Sequence, residues 1–129
     1  PEKGIGVPTI KLNIEYENED IGHILLVPHS TEMYEIHLSN LTFNKDFSSI
    51  KNITKAIEIY REAISFGFTY MDKLQTVFAM IPINNRFALF ASKHCGMSLN
   101  GTIRKGHLFK GNMIDIEIYS LSRGEVTCL

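Results

Sequence analysis

PINNRFALFASKHCGMSLNGTIRKGHLFKGNMIDIEIYSLSR, residues 82–123, is the stretch that decides the fold. Pro82 ends whatever strand precedes it, because proline has no N–H for a ladder. From Asn84 or Asn85 to His94 the spacing predicts a helix, with Asn as the cap at its start and Gly96 as the left-handed stop. Leu99–Phe109 and Met113–Leu121 then read as two strands around a Lys110-Gly111-Asn112 turn. In the second strand Ile114, Ile116, Ile118 and Ser120 alternate with Asp115, Glu117 and Tyr119.

Upstream, Ile10, Leu12, Ile14 and Tyr16 alternate with Lys11, Asn13 and Glu15, the pattern of a half-buried strand. An acidic turn, Glu17-Asn18-Glu19-Asp20, leads into the apolar strand Ile21–Val27, and Pro28–Thr31 breaks it. Met33–Leu41 alternates again. Ile53, Ala56, Ile57, Tyr60, Ala63 and Ile64 fall at helical spacing, and Gly67 is read as that helix's C-cap. Lys73–Ile81 is the next strand. The order is β-β-β-α-β-α-β-β, which implies a mixed sheet with helices packed on it.

At 129 residues and 44% hydrophobic side chains the chain is one ordinary globular domain, 1–129. The net charge of −1 gives no bulk attraction to nucleic acid or to an anionic membrane. No apolar run approaches the ~20 residues of a bilayer span. The charge is nonetheless uneven: residues 1–50 hold 3 basic and 8 acidic side chains, residues 51–129 hold 10 basic and 6 acidic. This is either a cationic partner for the first half and an anionic one for the second, or chance distribution over solvated faces. Two cysteines, Cys95 and Cys128, without short spacing, and no visible signal peptide, point to a reduced, cytoplasmic setting. The five histidines show no metal-ligand spacing, so no metal is expected.

Residues 82–123 resemble the GCN5-related N-acetyltransferase (GNAT) superfamily, most closely its branch that acetylates protein N-termini and related amines. The residues that carry the resemblance are Asn85, Ala88, Phe90, Lys93, Gly96-Met97, Gly101, Arg104, Gly111, Asp115 and Tyr119-Ser120-Leu121. Asn opens a helix, a Gly-Met pair follows 11 positions on, and Gly, Arg, a turn Gly, Asp and a Tyr-Ser-Leu strand come in order. A narrower resemblance, carried by Glu35-Ile36-His37, is to small acetyltransferase-like proteins of tailed phages and prophages.

The resemblance implies an α/β (α+β) fold with a mostly antiparallel sheet, helices on both faces and a splayed central strand pair. The family begins with a strand and one or two helices that wall the acceptor site, whereas only a few irregular residues precede the first strand here; either those elements were cut away or the protein lacks an ordinary acceptor pocket. It implies acetyl-CoA as co-substrate, its pantetheine arm wedged between the strands Met33–Leu41 and Lys73–Ile81. Its pyrophosphate would rest on the N-terminus of the following helix, where free N–H groups and the helix dipole favour an anion. The family's glycine-rich loop corresponds here to Ser48-Ser49-Ile50-Lys51-Asn52, which has no glycine. Its hydroxyls and the Lys51 ammonium are what it offers a phosphate.

Individual roles keep two readings at this level. Glu35 and then His37 are the candidates to take a proton from the acceptor ammonium, though alternation alone places polar residues on that face. Asn85 is an N-cap, a contact to the cofactor arm, or both. Ser92 stands four residues before Gly96, where many GNAT members place the tyrosine that protonates the departing thiolate. Asp115 pairs with Arg104 across the hairpin or meets substrate. Cys95 is a small buried apolar residue. Two functions follow. One is acetyl transfer from acetyl-CoA to an amine acceptor, protein or small molecule, by direct attack. The other is an inactive GNAT-like fold that binds a phage or host protein partner, or a second copy as a homodimer, with virion association.

Overall fold

A computed structural model describes residues 8–16, 18–39 and 50–125. The elements are β1 (Ile10–Tyr16), β2 (Glu19–Pro28), β3 (Met33–Ser39), α1 (Ile50–Tyr70), β4 (Thr76–Pro82), α2 (Arg86–His94), β5 (Ser98–Phe109) and β6 (Asn112–Ser122), followed by a 3₁₀ turn at Arg123–Glu125. The described strands form one six-stranded sheet in the order β1-β2-β3-β4-β6-β5. Every neighbouring pair is antiparallel except β3 and β4, which the crossover through α1 makes parallel.

One face of the sheet is the core. Ile14, Ile24, Leu26, Tyr34, Ile36, Val77, Ala79, Ile81, Tyr119 and Leu121 are buried there against Tyr60, Ala63, Ile64 and Phe68 of α1 and Ala88 and Ala91 of α2. The period-two and period-3.6 patterns therefore meet on one surface. Burying each large side chain contributes roughly 1.5–3 kcal/mol before the cost of ordering the chain. The helices also touch each other: Ser92 Oγ donates to Tyr60 Oη at 3.1 Å and Arg61 Nη2 donates to the His94 carbonyl at 3.0 Å. Helices on both faces were expected; both described helices lie on this one face. On the opposite face, Phe78 is half-buried and Met80 exposed.

Several local expectations are refined. The helix α1 runs through Gly67 to Tyr70 rather than stopping at the glycine. A Cβ there would lie 3.2 Å from Leu74 and 3.3 Å from Met71, so Gly67 serves close packing. Arg123 ties down the helix end instead: its guanidinium donates to the Phe68 carbonyl in the last turn of α1 and to the Met71 and Leu74 carbonyls of the segment that follows, at 2.8–3.0 Å. The strand β4 begins at Thr76 rather than Lys73.

Gly96 does end α2, at φ 85°. Met97 N–H donates to Ser92 O and Gly96 N–H to Lys93 O, the paired bonds of a Schellman motif. The β5–β6 turn is two residues, Lys110 and Gly111, both at positive φ as a type I′ turn needs. Asp115 does not pair with Arg104 here. Its Oδ1 accepts from the backbone N–H of Lys105 at 3.0 Å, where the ladder slips between Ile103 and His107.

Candidate active site

The parallel pair is short. Met33 pairs with Thr76, Tyr34 with Val77 and Glu35 with Phe78, and there the ladder ends. The near end is pinned, because Glu32 O accepts from both Gln75 N–H at 2.8 Å and Thr76 N–H at 3.0 Å. On its other side β4 stays paired with β6 from Thr76–Ser122 to Pro82–Ile116. The strands β3 and β4 thus part toward their C-terminal ends, and the backbone of residues 36–39 has no β4 rung beside it. Open sheets bind ligands outside the C-terminal ends of parallel strands for this reason.

The parting leaves a cleft of about 110 Å³ lined by Glu35, Ile36, His37, Tyr60, Ala79, Met80, Ile81, Asn85 and Ala88. Of the expected site residues, Glu35, His37 and Asn85 come together here. Asn85 is the N-cap of α2, its Oδ1 accepting from Ala88 N–H at 3.1 Å. The cap occupies the oxygen and leaves the amide NH₂ as the donor available at the cleft. Ser92 lies behind the lining, fully buried, and its hydroxyl reaches Tyr60. Tyr60 itself lines the cleft. Burial holds its phenol protonated well above the ordinary tyrosine range.

Ser48 and Ser49 lie outside the described residues. The backbone of Lys51 and Asn52 forms the first turn of α1, and their side chains are outside the described set.

On the other side of the cleft Glu35 is held by two imidazoles. His29 Nε2 is 2.9 Å from Glu35 Oε1, and His37 Nε2 is 3.1 Å from Oε2. The carboxylate is 13% exposed and each histidine 44%, so the acid is sheltered and the rings face solvent. His37 follows from strand alternation, two residues beyond Glu35 on the same face. His29 comes from the β2–β3 turn, which is fixed by His29 N–H and Ser30 N–H donating to Met33 O. Its ring also meets Phe78 edge-on at 4.9 Å. Phe78 is the register partner of Glu35, so His29 spans the last rung before the strands part.

His29 and Tyr60 are the two residues that sequence reading did not place in the site. Tyr60 carries the helical periodicity of a core residue and gave no other signal. Cys95 is buried, its thiol pushed up to about 11 by burial, and it donates to Ile57 O. It is therefore held as the neutral thiol. Among the described residues no group of three His, Cys, Asp or Glu side chains could hold a metal ion, and no described helix is long and apolar enough to cross a membrane.

This arrangement of sheet, crossover helix and parted strands is the GNAT fold. Spermidine N-acetyltransferase from Vibrio cholerae, solved in complex with CoA and spermine, superposes with a TM-score of 0.71 at 16% identity, covering 87% of this chain and 63% of that one. A single-site variant of the same enzyme gives 0.77 at 14% identity, covering 97% and 71%. A probable acetyltransferase gives 0.74 at 22% identity, covering 91% and 63%. The chain thus spans about two thirds of the length of these structures. No protein-family model matches it, and no curated protein matches it in sequence.

Proposed function

We propose that this chain transfers an acetyl group from acetyl-CoA to a cationic primary amine. The observation that carries the reading is the parting of β3 from β4 beyond the Glu35–Phe78 rung, with proton-accepting groups at the head of the cleft. A pantetheine arm has two amides, and laid along residues 36–39 it would supply the ladder bonds the parted strands lack. The thioester supplies an activated acyl carbon with a fair leaving group. The stretch Ser48–Asn52 with the first turn of α1 is the proposed seat of the pyrophosphate, and the Asn85 amide NH₂ meets the arm.

At the reacting end, Glu35 and His37 receive the proton that the acceptor ammonium must lose before its nitrogen can attack. The sulfur takes up the second proton that the attacking nitrogen loses as it becomes the amide, and the Tyr60 phenol, which burial keeps protonated, is the hydrogen-bond donor proposed to meet the departing sulfur. Ser92 acts through Tyr60, by donating to its oxygen. The excess of carboxylates in the first 50 residues favours a cationic acceptor. The Vibrio cholerae neighbour, solved with spermine, is a precedent for this fold with a polyamine.

Isothermal titration with CoA, followed by chromatography of spermidine and of a peptide with a free N-terminus after incubation with acetyl-CoA, tests the reading. Micromolar binding and an acetylated amine are expected. Absence of both heat and product overturns it.

A further inference from the structure

The cluster at the head of the cleft divides the proton-accepting role in a definite way. A carboxylate is an acceptor only, so each imidazole nitrogen that meets Glu35 must carry the hydrogen. His29 and His37 both approach through Nε2. When neutral, each ring therefore keeps its lone pair on Nδ1. Glu35 Oε1 is hydrogen-bonded to His29 Nε2 at 2.9 Å and Oε2 stands 3.1 Å from His37 Nε2, and His29, fixed by its turn and by Phe78, holds the carboxylate in one rotation. Glu35 and His37 line the cleft.

We infer that His37 is the catalytic residue that takes the acceptor's proton, on Nδ1, while Glu35 and His29 are positioning residues that fix its tautomer and orientation. The inference rests on the acetyl-transfer reading and deepens it. In the step, one N–H bond of the acceptor ammonium breaks and an Nδ1–H bond forms. The freed nitrogen lone pair attacks the acyl carbon. The C–S bond then breaks with its electron pair on sulfur, which takes up the second proton that the attacking nitrogen loses as it becomes the amide. The imidazolium returns its proton to solvent. While charged it faces the Glu35 carboxylate through its Nε2–H.

Other titratable groups on this face of the neighbouring strands are His23 and Asp20 on β2 and Lys11 and Glu15 on β1, whereas β4 presents Phe78 and Met80. Glu35 is the carboxylate that stands 3.1 Å from His37, and a neutral substitution at Glu35 separates the two roles.

Two measurements on the full chain test the assignment. Long-range proton–nitrogen NMR of the histidine rings at pH 8, without CoA, reads the tautomers directly. Protonated Nε2 on both His29 and His37 is expected, with the preference at His37 weakened in Glu35→Gln. A proton on Nδ1 of His37 overturns the inference and leaves the acetyl-transfer reading standing. Second, kcat/KM is followed against pH. The fall toward acid pH is kept in Glu35→Gln at roughly tenfold lower kcat, and is lost in His37→Gln, whose kcat falls by about 100-fold or more. In His29→Gln kcat falls a few-fold at unchanged KM. If Glu35→Gln loses the acid limb and His37→Gln retains it, the carboxylate is the base and the assignment is wrong. If the wild type yields no acetylated amine, the reading of function fails and the base role falls with it.

Discussion

The strand β4 has two flanks that behave differently. Toward β6 it is paired over seven residues, Thr76 to Pro82. Toward β3 it is paired over three, Met33–Thr76 to Glu35–Phe78. The same strand in the same sheet therefore spends its hydrogen-bonding capacity on stability on one side and withholds it on the other. The side that withholds is where Glu35, His37, Tyr60 and Asn85 converge. Regular structure and binding capacity compete for the same backbone groups, and a site is made by ending a ladder early.

The largest effect is expected on the closed flank. Leu121 is buried opposite Val77, and Leu121→Ala should cost about 2–5 kcal/mol in urea unfolding. CoA affinity at temperatures where the variant remains folded should be unchanged; a comparable loss of affinity would show that the two flanks are not separable.

Filling the open flank should do the reverse. Ala88 lines the cleft and is buried. Ala88→Leu should lower CoA affinity by roughly 100-fold at a stability cost of about 1–3 kcal/mol, the usual range for overpacking. Titration calorimetry alongside thermal unfolding separates the two effects.

Asn85 joins the flanks, since it caps α2 and faces the cleft. Asn85→Ala should cost about 1 kcal/mol of stability as a lost cap. Asn85→Asp should keep the cap, because the carboxylate accepts from Ala88 N–H as the amide oxygen does, yet it lacks the NH₂ donor. A several-fold weaker CoA affinity in Asn85→Asp at unchanged stability is expected from calorimetry.

These contrasts bear on what could be read from residues alone. The hairpin at Lys110-Gly111, the stop at Gly96 and the cap at Asn85 were legible because each is a local rule: positive φ, a left-handed stop, a side-chain acceptor for free N–H groups. The alternating strands were legible for the same reason. Gly67 was misread because its role is tertiary, a close approach by Leu74 and Met71 that no periodicity records. The site was half legible. Alternation put Glu35 and His37 on one face, but His29 reaches Glu35 from a turn six residues earlier and is set by the fold. Tyr60 looked like any other core position on α1. Its meeting with Ser92 depends on how two helices cross. The loop 48–52 was read against a glycine pattern, and Ser48 and Ser49 fall outside the described residues.

The smallest expected effect is alkaline. Tyr119 is held up to about 12 by burial and by its bond to the Glu117 carboxylate, against an ordinary 10.0; Cys95 is held at about 11 against 9.0; Tyr60 lies higher still. Each group keeps its proton longer in the folded chain than in the unfolded one, so their contribution is complete below pH about 9 and is lost as pH rises. Unfolding free energy should begin to decline near pH 9 through Cys95 and fall further from pH 10 through the tyrosines. Cys95→Ala should move the onset toward 10, and Tyr119→Phe should flatten the decline between 10 and 12. A stability curve without this descent would show that these groups are not sheltered.

The central claim is that the gap between β3 and β4 receives the thioester arm, and amide NMR during titration with CoA tests it most directly. The amides of residues 36–39 on β3 and 79–81 on β4 should shift in a saturable way, while those of Ile118–Ser122 on the closed flank stay within their unbound range. Saturable shifts confined to any other part of the molecule, or spectra that do not change at millimolar CoA, would contradict it.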